Sequence, residues 1–235
     1  DEWLWRAAMH YRWSYEHDRE LLSRILTDEV MQHVPLPRFW KLRVIKRRQH
    51  VGFVRKDGVT PETQDHVENG YLNALQNMTS LLEDNPFLLG DGPSIADFGM
   101  MGPMLRHFGQ DPTPAEIMRN EAPAVFDWLS RVWNSHDTVT EPIFLDEVPL
   151  SAAPMLKEIA ETHLVQLRRN AEAYADENQH FEMTVQDCHY QDLPVSRYRV
   201  YCLEKLREAF ATLGSEDQIK VKALLTYPEA EILWR

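Results

Sequence analysis

Apolar residues recur at three-and-four spacing along most of this chain, the period of helices with one buried face. In residues 3–33, Leu4, Ala8, Tyr11, Tyr15, Leu22 and Ile25 make one stripe, and Trp5, Met9, Trp13 and Glu16 a second beside it, so the spacing predicts one long helix. Val34-Pro35-Leu36-Pro37 stops it, because neither proline carries a backbone donor. Residues 38–49 predict a short basic helix, and Lys56-Asp57-Gly58 a turn. Thr60-Pro61 reads as the cap and first position of a second long helix, with Val67, Tyr71, Leu75, Met78 and Leu82 buried and Asn85-Pro86 at its end.

An apolar connector, Phe87-Leu88-Leu89, and a tight loop, Gly90-Asp91-Gly92-Pro93, lead to Ser94-Ile95-Ala96-Asp97. The spacing of Ser94 and Asp97 is that of a capping box, in which each side chain satisfies an orphaned backbone N–H of the helix start. Pro93 and Phe98 stand where a hydrophobic staple would. Gly99 and Gly102 suggest close approach by another helix, so this segment is expected to be central and buried, with a kink at Pro103. Thr113-Pro114-Ala115-Glu116 predicts a second box. Pro123 opens a helix with Val125, Trp128, Leu129 and Val132 inward, and residues 136–149 read as a loop.

The remainder predicts a long helix over 151–176 (Leu156, Ile159, His163, Leu167, Ala171, Tyr174 inward) and a hairpin of Phe181–Val185 against Cys188–Leu193. A helix from Ser196 to Leu213 follows, with Gly214 as C-cap, then a short one opened by a Ser215–Gln218 box.

Composition narrows the function classes. Nine glycines in 235 residues include no G-x-G-x-x-G or Walker spacing. The formal charge is −12, but residues 1–59 hold 12 basic and 8 acidic side chains and residues 60–235 hold 13 and 29. An acidic bulk repels nucleic acid and anionic membranes. The run Arg38–Lys56, which has no acidic residue, reads first as a solvated helix face and second as an anion site. Cys188 and Cys202 form neither a CxxC nor a zinc spacing, and two cysteines in a chain of this length suggest a reducing compartment and inert thiols. No metal site is expected. His10, Ser14 and His17 lie near one another on the first helix, with no acidic residue placed in sequence to join them. No apolar run reaches the length of a membrane span. A helical pattern that starts at once from Asp1 reads as a chain cut from a longer one.

Pro86-Phe87-Leu88-Leu89-Gly90-Asp91-Gly92-Pro93-Ser94-Ile95-Ala96-Asp97-Phe98, followed by Ala122-Pro123-Ala124-Val125-Phe126-Asp127-Trp128-Leu129-Ser130-Arg131, resembles the C-terminal helical domain of cytosolic glutathione S-transferases. Trp3-Leu4 resembles the usual entry to that domain. The resemblance implies an all-α bundle over 1–135, with residues 136–235 a mainly helical extension packed on it and holding the hairpin. It implies a structural role for the Ser94–Asp97 box. It also implies that Trp5, Met9, Arg12 and Trp13 line the pocket for a hydrophobic electrophile, although interdomain or helix–helix packing is the first reading of the same positions and the two are compatible. Glutathione would be the cosubstrate, bound by the family's thioredoxin-like N-terminal domain, for which nothing in this sequence reads β-α-β. The chain alone is therefore expected to be inactive and cytoplasmic; members of the family usually form homodimers, through an interface that uses both domains. The alternative is a non-catalytic interaction module of the same fold, and a third reading is a ligand binder that has lost the chemistry.

Overall fold

The computed structural model describes residues 2–136 and 141–235, so Asp1 and part of the expected 136–149 loop lie outside the described residues. Contacts divide the chain into two compact units, Asp1–Ala152 and Ala153–Arg235.

The first unit contains α1 (Trp5–Ser14), α2 (Glu16–Val30), α3 (Arg38–Gln49), α4 (Gln64–Leu81), α5 (Ile95–Pro103), α6 (Pro112–Glu121) and α7 (Pro123–Trp133). The predicted 3–33 helix is broken in two. Tyr15 takes an extended backbone (ψ 131°), and the break lets two side chains reach other helices. The Tyr15 hydroxyl donates to Glu68 at 2.9 Å, and the buried Asp18 carboxylate accepts from the Thr113 N–H at 3.0 Å and from its hydroxyl. This also explains why the predicted Thr113–Glu116 box is not the cap of α6. Asp111 holds the N-cap position, and an orphaned N–H of the first turn is satisfied by Asp18 from another helix. The second long helix begins at Gln64, not at Thr60, because Thr60–Thr63 close a turn in which the Thr63 hydroxyl donates to Gly58 O at 2.7 Å.

The core lies where α4, α7 and the turn after α5 meet. Tyr71, Met78, Met104, Phe108, Val125 and Trp128 are all fully enclosed. Tyr71 stacks on Phe108 at 4.1 Å and donates its hydroxyl to Pro114 O. Pro103 removes one helical donor, and the chain continues as a wider π turn over Met104–Phe108. The expectation of a buried α5 is corrected. Only its Asp97 and Pro103 are buried, while Ile95 and Phe98 face outward at 91% and 55% exposure and no heavy atom stands within 4 Å of a Cβ built on Gly99. A Phe98 that is more than half open is not shielded as the apolar half of a staple would be.

The glycine loop is tied to the segment after α7. Asp91 N donates to Ile143 O at 3.1 Å, Ile143 N to Asp91 Oδ1 at 2.6 Å and Leu145 N to Leu89 O at 2.9 Å. Gly90 has φ +147°, and the Ile143 carbonyl occupies the place of a Cβ there, so glycine is required on both counts.

In the second unit, α8 (Ala153–Ile159) passes through a π turn, Ala160–Leu164, into α9 (Val165–Ala175). The turn rotates the buried face. Ala160, Leu164 and Leu167 enter the core with Leu203, Ala230 and Ile232, whereas the predicted Tyr174 is exposed. β1 (His180–Val185) pairs antiparallel with β2 (Cys188–Pro194) around Gln186 and Asp187, both at positive φ, the two-residue turn that matches strand twist. α10 (Arg197–Ala211) is anchored by Asn170, whose amide bonds both the N–H and the C=O of Ser196 at 2.7 and 2.9 Å. Gly214, expected as a left-handed C-cap, has φ −61° and is the N-cap residue of α11 (Ser215–Leu224). Gln218 makes no capping box and instead donates to Phe210 O and Leu213 O near the end of α10.

Candidate functional site

Ser94 and Asp97 form the expected box, and the structure adds to it. Ser94 N and Oγ donate to Asp97 Oδ2 at 2.8 and 2.6 Å, and Ser94 Oγ accepts from Asp97 N at 3.4 Å. The other carboxylate oxygen accepts from Leu88 N at 2.9 Å and from the Trp128 indole at 2.8 Å. One buried carboxylate thus joins the apolar connector, the start of α5 and the middle of α7.

The four candidate pocket residues on α1 divide. Met9 and Trp13 are core residues, 3% and 2% exposed. Arg12 is buried against Asp111, with its Nε and Nη2 donating to the two carboxylate oxygens at 2.6 and 2.9 Å and Nη2 also reaching Arg106 O at 3.2 Å. Burial pushes the Asp111 carboxyl up, and the guanidinium opposes it. Trp5 alone is partly open. Its ring meets Phe53 edge-on at 6.0 Å and His107 at 6.1 Å. Nothing in the sequence signals this trio, because its members stand 48 and 54 positions apart and meet only when the turns after α3 and α5 fold against α1.

His107 is the electrostatically unusual member. Burial first, and then the charges of Arg12 and Arg106, push its imidazole down to about 4 from 6.5, so it is neutral at pH 7. Its buried Nδ1 has no partner among the described residues. Between pH 6.5 and 4 the unfolded chain binds a proton at this site that the folded chain does not, so folding stability falls as pH is lowered through that window. Discounted for partial exposure, the loss attributable to His107 is about 1–2 kcal/mol. Urea unfolding at pH 7 and pH 4.5 should show a smaller drop for His107→Gln than for the parent chain. An equal drop would remove His107 from the account.

On the other side of α1, His10 gains the acidic partner that its sequence neighbourhood lacks. Its Nε2 lies 2.8 Å from Glu68 Oε1, which also accepts from Tyr15 and from Gln64 Nε2 at 3.0 Å. Burial raises the Glu68 carboxyl, but these bonds outweigh it and the net direction is down. Burial and the bond to Glu68 push the Tyr15 phenol up to about 12, and burial raises Tyr11 and Tyr71 as well. Activating a thiol requires a donor that gains from a nearby anion. These phenols stay protonated at pH 7, but Tyr15 and Tyr71 already donate to Glu68 and Pro114 O, and Tyr11 is buried.

Residues 42–136 match the family model described as glutathione S-transferase, C-terminal domain. That stretch is similar to the C-terminal domain of glutathione S-transferases. Searches of curated proteins and of solved structures gave no match to the chain. The glutathione S-transferase match contains the connector, the capping box, Trp128 and both side chains placed around Trp5, namely Phe53 and His107. It begins after α1 and α2, so Trp5, Met9, Arg12 and Trp13 precede it. With the all-α bundle and one hairpin, it gives the fold expected of a glutathione S-transferase C-terminal domain with a further helical segment. Among the described residues, no group of three His, Cys, Asp or Glu is placed to hold a metal, and no helix is long and apolar enough to cross a membrane.

Proposed function

We propose that this chain supplies the electrophile-side helical part of a glutathione-transferase-like protein that conjugates or reduces apolar electrophiles with glutathione. The glutathione-binding domain would be a separate thioredoxin-like unit, and residues 1–235 alone would not turn substrate over. The observation that carries the reading is the Asp97 hub inside a stretch that matches the family's C-terminal domain. In this reading Trp5, with Phe53 and His107, forms the open aromatic wall of the electrophile pocket, and Met9, Arg12 and Trp13 support that wall from behind. A neutral imidazole can accept a hydrogen bond there without charging the pocket. A cytoplasmic location and a homodimer belong to the same proposal.

The test uses the chain with chlorodinitrobenzene. We expect quenching of Trp5 fluorescence on binding, loss of that response in Trp5→Leu, and no glutathione-dependent turnover. Turnover by residues 1–235 would overturn the division of labour, and an unchanged response in Trp5→Leu would overturn the pocket.

The alternative reading, a non-catalytic interaction module, is favoured by one observation, the outward apolar face of α5 at Ile95 and Phe98. It expects no saturable binding of the electrophile at Trp5.

A further inference from the structure

The basic helix α3 presents an unusual face. Phe39, Leu42, Arg43, Lys46 and Arg47 fall at three-and-four spacing, so one side of the helix carries all five, and His50 follows at the start of the π turn after it. With Arg19 of α2 opposite, they line a groove of about 640 Å³, within the range of small-molecule sites. Ile45 is the residue of α3 that enters the core, so the groove face is not the face that holds the helix in place.

Charge in this groove is not balanced by the protein. The lining residues include no carboxylate, and Glu20 beside Lys46 is already taken by it, with Arg24 at 3.9 Å. Arg43 and Arg47 stand four apart on the same helix, where like charges repel, and Arg19 adds a third guanidinium. Two groove polar atoms, Arg19 Nε and His50 Nδ1, are enclosed without a hydrogen-bond partner among the described residues. A solvated helix face would leave such atoms to water and would mix its charges, as the rest of this acidic chain does.

We infer that the groove between α2 and α3 binds a phosphate monoester with an apolar or aromatic body, the phosphate held by Arg19, Arg43 and Arg47 and the body lying on Phe39 and Leu42. Guanidinium forks match phosphate oxygens in pairs. A dianion balances this cluster better than the single charge of a carboxylate. A long nucleic acid fits less well, because residues 60–235 carry 29 acidic against 13 basic side chains and repel an extended polyanion. This site is separate from the Trp5 wall and does not depend on the transferase reading.

His50 provides an internal reporter. Burial, with the charges of Arg55, Arg19 and His10, holds its imidazole below the usual value, against the bond to the Trp13 backbone. The groove also sets Arg43, Lys46 and Arg47 against it, with Glu20 paired to Lys46. A bound anion would raise the His50 pKa.

The experiment is calorimetric titration of the full chain with phenyl phosphate, with inorganic phosphate and a single-stranded oligonucleotide as comparison probes, alongside NMR titration of His50. We expect saturable binding of phenyl phosphate, weaker binding of inorganic phosphate, and an upward shift of His50. In R43Q/R47Q, affinity should fall by at least about tenfold, with the thermal midpoint unchanged or raised because both side chains are exposed. The control Arg168→Gln, in the second unit, should bind as the parent does. No saturable binding, equal affinity in R43Q/R47Q, or inorganic phosphate binding as tightly as phenyl phosphate would overturn the assignment. Tighter binding of the oligonucleotide through the same arginines would replace it with a nucleic-acid site.

Discussion

Asp97→Ala is expected to lower the unfolding free energy by about 4 kcal/mol, several times what a lost helix cap usually costs. The cap is only part of what this carboxylate does. Its removal leaves Leu88 N–H and the Trp128 indole N–H buried without an acceptor, at about 1–3 kcal/mol each, in addition to the Ser94 donors. Both orphaned groups lie among close-packed residues, since Leu88 is 3% exposed and Trp128 fully enclosed, so water has no ready access. Asp97→Asn retains one acceptor oxygen but turns an amide N–H₂ towards donors, and should cost roughly half as much. Urea unfolding of the two variants, with hydrogen exchange at the Leu88 amide and the Trp128 indole, checks this. Destabilisation of only about 1 kcal/mol with both protons still protected would mean that Asp97 is merely a cap.

Arg12→Met should cost about 3–5 kcal/mol, because it leaves Asp111 buried without its cation. The double variant Arg12→Met/Asp111→Leu should recover most of that loss, since replacing both members of a buried pair by apolar groups removes the stranded charge as well as the attraction. The same pair of variants bears on function. If Arg12 only holds the wall behind Trp5, the double variant will bind electrophile as the parent does. If Arg12 contacts the ligand, affinity will stay low after stability returns. Chemical unfolding and Trp5 quenching on the same samples separate the two outcomes.

What was legible in the sequence was whatever a short stretch of chain decides for itself. The Ser94–Asp97 box depends on two side chains three positions apart and a proline-stopped run before them, and it formed as expected. The α4 and α7 stripes were legible because residues such as Tyr71 and Trp128 repeat with the helical period. The hairpin was legible because alternation of period two surrounds a two-residue turn. At residues 3–33 an uninterrupted pattern concealed a break, because the cause of the break is distant: Glu68 and Thr113 offer Tyr15 and Asp18 better partners than a continuous helix would. The Thr113 and Ser215 boxes failed similarly, since the Thr113 N–H donates to the carboxylate that packing brings nearest and the Gln218 amide donates to carbonyls at the end of α10.

The sequence by itself determined the fold class, the capping box and the family likeness of residues 42–136, because helical period, caps and proline stops act over a few residues. Tertiary structure decided which of the α1 side chains remain open. Arg12 is as suitable in sequence for a ligand as for a carboxylate, and only the approach of Asp111, ninety-nine positions away, consumes it. The same holds for the joining of Trp5 to Phe53 and His107, and for the meeting of Arg19 with the basic face of α3. Burial and the sum of nearby charges set the chemistry of such groups, and both are properties of the packed chain rather than of any segment of it.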